Sequence, residues 1–266
     1  MKKSRPLAIA MLVICVGCTK TCQFQYPNSA CKINSIDVDR RVSIRVNPIR
    51  DGRGDKSSTE GWSMLAFIPF VPYVDFHNYD MTGYNSDVGS YDFNPLRQLH
   101  EAAVEHLRRS GLFRVRKYDA FNTGNRKGEF SLNVNLVKLG IEGCHSCYCL
   151  GLVPGCYVHV FGAPMTYATS YLTLEIELLD DSDRILMKKT YSKKLDYKSG
   201  LYYHWNNLNY VGRNFCGILN DFCSDAADVL ETVYVKSDEI ESRPKSSERP
   251  KTKSSGRRSL LEDLAR

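Results

Sequence analysis

YLTLEIELLDDSDRILMKKTYSKKL, residues 171–195, is the stretch that decides the fold. Leu172, Leu174, Ile176 and Leu178 alternate with Thr173, Glu175 and Glu177, so an extended chain there has one apolar and one charged face. Asp180 to Asp183 supplies turn residues, and Ile185 to Leu195 returns as the partner strand. A half-polar hairpin of this length needs something on its apolar face, and the neighbouring sequence offers it.

Upstream, Phe130, Leu132, Val134 and Leu136 alternate in the same way. The parity then switches to Val137, Leu139 and Ile141, the mark of a bulge or of a strand covered on both sides. Val42, Ile44 and Val46 make a short strand that Pro48 stops, and Leu112 to Tyr118 reads as another. Two helices complete the set. The first has Asn94 as N-cap, Pro95 at its first position, Leu96, Leu99, Ala103 and Leu107 on one face, and Gly111 as its stop. The second is expected from about Arg213 to Val235, with Phe215, Ile218, Leu219, Phe222, Ala226, Val229 and Val233 at helical spacing. The element order gives an α+β fold: an antiparallel or mixed sheet with two main helices packed on one face.

The ends of the chain differ from this body. Lys2, Lys3 and Arg5 precede an apolar run, Leu7 to Val16, too short to span a bilayer and of the length of a signal-peptide core. From Ser237 the sequence is rich in Lys, Arg, Ser and Pro and is expected to be disordered. The layout is thus a signal peptide at 1–17, a tether at 18–35, a domain at 36–235 and a basic tail at 236–266. The net charge of +6 resides in the signal and the tail, so the body is neutral; this argues against nucleic acid as a partner.

The junction Val16-Gly17-Cys18 resembles the cleavage site of bacterial lipoprotein signals, with Cys15 standing where Leu is usual. The resemblance implies cleavage before Cys18 and acylation of that cysteine, with palmitate among its chains. It implies a membrane partner through that lipid. Thr19, where retained lipoproteins carry Asp, implies the outer membrane with the domain facing the periplasm; the cell surface or a secreted form are the alternatives. The body, with Ser110-Gly111-Leu112-Phe113 and Gly200-Leu201-Tyr202-Tyr203, resembles small envelope lipoproteins such as TolB N-terminal domains and the auxiliary lipoproteins of ABC-type transporters. That resemblance carries over no catalytic residues.

Ten cysteines suit an exported protein. With Cys15 removed and Cys18 acylated, Cys22, Cys31, Cys144, Cys147, Cys149, Cys156, Cys216 and Cys223 remain, an even number read first as disulfides. Cys216 and Cys223 lie about 10.5 Å apart along one helix, beyond the roughly 7 Å a disulfide allows, so each is expected to pair elsewhere. Two other readings stay open for Cys144 to Cys156: a structural zinc site or a reactive thiol pair.

A second cluster, Tyr202, Tyr203, His204 and Trp205, has the rings and amides of a glycan or peptide groove, or of a loop sealing the core. Asp75, His77 and Asp80 could ligate a cation, and Arg53-Gly54-Asp55 matches an adhesive tripeptide. Trp62 to Val74, broken by Pro69 and Pro72, is expected to be extended and to cover the core or dock a partner. No nucleophile elbow, zinc-protease, phosphate-loop or dinucleotide motif occurs, and no cofactor is implied. The function expected is a non-catalytic, lipid-anchored interaction or assembly component of the envelope with a protein partner. The alternative is a ligand-binding module, for glycan through 201–210 or zinc through 144–156.

Overall fold

A computed structural model describes residues 21–27, 42–54, 56, 58–59, 73–79, 81, 83–85, 89–116, 129–146, 158, 161–200, 203 and 206–242. The chain divides into two units, Met1–Val229 and Leu230–Arg266. The first is α+β, as expected.

Its strands are β1 (Thr21–Gln23), β2 (Val42–Val46), β3 (Arg50–Asp51), β4 (Ser58–Thr59), β5 (Tyr73–Asn78), β6 (Gly83–Asn85), β7 (Gly89–Asp92), β8 (Phe113–Arg116), β9 (Glu129–Ser146), β10 (Pro164–Leu179) and β11 (Ile185–Gly200). The helices are α1 (Pro95–Ser110) and α2 (Leu208–Ser242). The main sheet has the order β11-β10-β9-β2-β8. The far edge of β9 takes β2 and β3 in parallel and then β5 antiparallel. A smaller sheet has the order β1-β7-β6.

The hairpin that the alternation marks is β10–β11, with Leu172 opposite Lys193 and Leu178 opposite Met187. It is longer than its hydropathy shows, because β10 begins at Pro164 and β11 ends at Gly200. Asp180 shapes the turn by accepting from the amides of Ser182 (2.8 Å) and Arg184 (2.9 Å). The parity switch in β9 is a bulge: Lys138 pairs with Thr173 and Leu136 with Leu174, so Val137 is left over.

The core lies between the sheet and the helices. Leu132, Leu136, Leu172, Leu174, Ile176 and Leu178 are fully buried, as are Leu99, Leu107, Phe215, Ile218, Leu219 and Phe222. Phe222 stacks on Phe113 of β8 and meets Tyr191 of β11 edge-on. Asn214 donates to the Ser170 carbonyl at 2.9 Å and so fixes α2 against β10. The sheet's edge at β11 carries Lys188, Lys189, Lys193, Lys194 and Lys198, charges that discourage pairing with a further strand.

Helix α1 is capped as its sequence dictates. Asn94 Oδ1 accepts from the Arg97 amide at 3.1 Å, and Gly111 sits in the left-handed region at φ 76°. Asn94→Ala is expected to lower stability by about 1 kcal/mol, read as a lower urea midpoint at constant slope.

Three expectations need correction. Residues 18–35 are not all tether: Thr21–Gln23 is a strand, paired in parallel with β7, and residues 24–27 pack on the domain. Helix α2 begins at Leu208, before Arg213, and continues past Val235 to Ser242. The strand expected at 112–118 begins at Phe113 and runs to Arg116, with residues 117–118 outside the described residues. Of the segment 62–74, only Tyr73 and Val74, the start of β5, lie within the described residues.

Candidate functional site

Two features stand out, and they adjoin. The first is the leader, Thr21 to Pro27. Cys22, Phe24 and Tyr26 alternate with polar residues, so an extended chain there presents one side to the domain. Phe24 stacks on Phe93 with centroids 5.3 Å apart. Asn206 Nδ2 donates to the Gln23 carbonyl at 2.7 Å. A side chain at Gly212 would meet the Gln25 carbonyl oxygen at 2.4 Å. Tyr26 meets Phe215 edge-on at 6.1 Å. These contacts advance together, from Gln23 at Asn206 to Tyr26 at Phe215, so the leader runs parallel to the first turns of α2. Upstream of Gln23 it therefore heads past that helix's N-terminus.

Tyr26 closes a buried polar knot. Its hydroxyl shares a hydrogen bond with His106 Nδ1 on α1 at 2.5 Å and also bonds the Cys216 thiol on α2. Burial, and then the Cys216 bond, raise the Tyr26 hydroxyl above its ordinary value. Burial, assisted by the Arg109 charge, pushes His106 down to about 4, so the ring is neutral near pH 7. Its other ring nitrogen, Nε2, finds no hydrogen-bond partner among the described residues.

The second feature is the end of the main sheet nearest that helix start. Tyr73 of β5 lies opposite Ser146 of β9, His145 opposite Thr166 of β10, and Pro164 opposite Gly200 of β11. Four strands therefore end in one row, about 15 Å across at normal strand spacing. Tyr203 exchanges backbone hydrogen bonds with Gly200, its ring lies where a side chain on Gly200 would be, and its hydroxyl reaches the Gly162 carbonyl at 3.5 Å. Phe161, next to Gly162, is 88% exposed, and Tyr73 is 55% exposed. The strand ends thus bring to one place Tyr73, Ser146, Phe161 and Gly200, which are far apart in sequence.

The sequence candidates distribute as follows. Tyr203 is half-buried in this row, whereas Tyr202, His204 and Trp205 lie outside the described residues. So do Cys18, Cys31, Cys147, Cys149 and Cys156. No disulfide forms among the described residues, and the expected partners Cys31, Cys147, Cys149 and Cys156 lie outside them. Cys22, Cys216 and Cys223 are buried thiols and Cys144 is a half-buried one. Cys216 and Cys223 stand on one helix two turns apart, which is why they do not bond each other. Burial, and then the Asp75 carboxylate, push the Cys144 thiol up, the opposite of an activated thiolate. No group of three His, Cys, Asp or Glu side chains gathers as a metal site among the described residues. His77 stacks on Tyr79 instead. Arg53 of the adhesive tripeptide is spent internally, on Asp51 at 2.9 Å and on the Tyr79 carbonyl at 3.1 Å.

Sequence reasoning missed Tyr26 and His106. The signals were present: Tyr26 closes the alternation of the leader, and His106 falls on the buried face of α1 between Ala103 and Ser110.

No family model matches the chain, and no curated protein matches it. Among solved structures, it is similar to the DUF330 protein XCC0632 from Xanthomonas campestris. The identity is 8% and the TM-score 0.40, over 81% of this chain and 98% of that one. It is also similar to lipoprotein GNA1162 from Neisseria meningitidis, with 14% identity and a TM-score of 0.22, over 72% of this chain and 99% of that one. At those TM-scores the superpositions are partial, and the functional reading rests on this chain's own residues. No helix among the described residues is long and apolar enough to cross a membrane.

Proposed function

We propose that this protein is a lipid-anchored envelope protein, acylated on Cys18, that serves as a non-catalytic interaction or assembly component. The observation that carries the reading is the seated leader. A tether that joined lipid to domain loosely would not need Asn206, Gly212 and Phe215 to receive it. Thr21 follows Cys18 by three residues, a reach of at most about 11 Å. The lipid is therefore held close to one chosen end of the domain, and that end bears Phe161 and Tyr73. An anchored protein that fixes its orientation presents its remaining faces to an envelope partner. Thr19 after the acylated cysteine supports the outer membrane, with the domain in the periplasm.

Cys18→Ser tests the anchor. Cells grown with labelled palmitate are expected to label the native chain and not the variant, and the variant is expected in the soluble periplasmic fraction. A variant that stays in the outer-membrane fraction sinks the anchor assignment.

A further inference from the structure

We propose that the row of strand ends bearing Tyr73 and Phe161 seats on the bilayer that holds the Cys18 lipid, with both rings at the boundary between headgroups and acyl chains. The inference rests on the anchor reading and names what that end of the domain touches.

Among the described residues, three large apolar side chains are more than half exposed: Tyr73 (55%), Phe161 (88%) and Ile185 (57%). Two of them share one end. Tyr73 starts β5 opposite Ser146, and Phe161 stands just before Pro164, which lies opposite Gly200. Ile185 starts β11, whose other terminus is Gly200, so it belongs to the opposite end, about 50 Å away along the strand. A ring on a turn, 88% exposed, is poorly explained by folding, since folding leaves it in water. Aromatic rings at the edge of a domain suit an interface that is apolar on one side and wet on the other.

The leader identifies the occupant. It runs parallel to α2 and leaves past that helix's N-terminus, and Asn206, which holds it, follows Tyr203 by three residues. Tyr203 is itself bonded to Gly200 and Gly162 in the row. Cys18 stands three residues upstream of Thr21, so its lipid leaves the domain past the start of α2, on the side where Tyr203 joins the row. A bilayer held there meets that end first. The charges near the row are mixed: Asp75 is exposed two residues in from Tyr73, and Lys198 lies over the Tyr167 ring at 5.2 Å. The seat is accordingly built on ring insertion, with little dependence on anionic lipid.

The test uses the full lipidated chain in phosphatidylcholine vesicles containing brominated lipid, which quenches tryptophan on contact. The two native tryptophans are removed as Trp62→Phe and Trp205→Phe, and a single reporter is placed at Phe161→Trp or at Ile185→Trp. The reporter at 161 is expected to shift to the blue and lose most of its emission, while the reporter at 185 stays as in brominated-free vesicles. A vesicle-bound chain whose reporter at 161 is silent overturns the seat, leaves the anchor standing and makes a protein the occupant of that end. Equal quenching of both reporters also overturns it. The same 161 reporter on Cys18→Ser separates the two readings: a variant that remains on vesicles and is quenched keeps the seat and overturns the anchor. Amide exchange on the unmodified chain gives a second measurement without substitutions. Residues 161–163 are expected to slow on vesicles and residues 181–186 are not; no slowing at 161–163 overturns the seat.

Discussion

Gly212→Ala is expected to leave the sheet and both helices folded and to expel the leader. Glycine in a helix interior costs about 1 kcal/mol relative to alanine, so a solvent-facing Gly212 would be a defect. It is buried, and the Gln25 carbonyl oxygen lies 2.4 Å from where an added Cβ would stand. The clash is with backbone on the leader's side, which cannot turn aside as a side chain would. Alanine therefore forces the leader off α2 by a few tenths of an ångström or more, at a cost of about 1–3 kcal/mol. Gln23 then loses its bond from Asn206, and Tyr26 its place against Phe215 and His106. The measurement is a cycle. In the full domain, Gly212→Ala lowers stability and speeds amide exchange at Gln23 to Tyr26. In a chain that starts after Pro27, the same substitution raises stability by up to about 1 kcal/mol, because only helix propensity is left. The same sign in both backgrounds would show that the leader does not occupy that groove.

This change of sign also shows where sequence reading stopped. The β10–β11 hairpin was legible because its middle is amphipathic with a period of two and its turn is acidic. Its outer ends, Pro164 to Ser170 and Tyr197 to Gly200, carry Thr, Ser, Tyr and Lys, whose hydropathy does not distinguish inward from outward. Helix α1 was legible at both ends because Asn94, Pro95 and Gly111 each solve a local backbone problem. The leader was not, because two of its anchor points are carbonyls, those of Gln23 and Gln25, and a carbonyl leaves no mark in a sequence. What receives them is a glycine in a helix, which reads as a weakness until its neighbour is known. The candidate end of the sheet was legible only in pieces. Residues 62–74, 150–164 and 201–210 are each recognisably apolar or aromatic, but the meeting of Tyr73, Phe161 and Tyr203 at one end depends on β5 and β9 pairing at Tyr73–Ser146 and on β10 and β11 pairing at Pro164–Gly200. Such register is a property of the sheet, and no local pattern announces it.

The same docking makes the domain sensitive to mild acid, through His106. Its ring is fully buried and titrates near 4, against 6.5 in an unfolded chain. Burial is the main cause and the Arg109 charge the second, and both disfavour the imidazolium. The folded state thus refuses a proton that the unfolded state accepts once the pH is below 6.5. Stability is complete above that value, falls as the pH drops from about 6.5 to about 4, and levels once the folded ring also titrates. The loss over this window is on the order of 3 kcal/mol. His100 adds to it with the same sign, since burial lowers that ring as well. Carboxylates contribute lower on the scale: Asp51, held down by Arg53, and Asp225, held down by Lys189, lose their share only as the pH falls through their depressed values. The two effects therefore separate. Urea unfolding at closely spaced pH values is expected to show a first decline centred between 6.5 and 4 and a second below it. His106→Gln removes the titrating ring and is expected to flatten the first decline, leaving the part due to His100, while the second is unchanged. The variant's stability at pH 7 is lower, because Tyr26 loses the ring it bonds and packs against. Its stability relative to the native chain then rises as the pH falls, and a constant difference from pH 7 to pH 4 would place the acid sensitivity elsewhere than in His106.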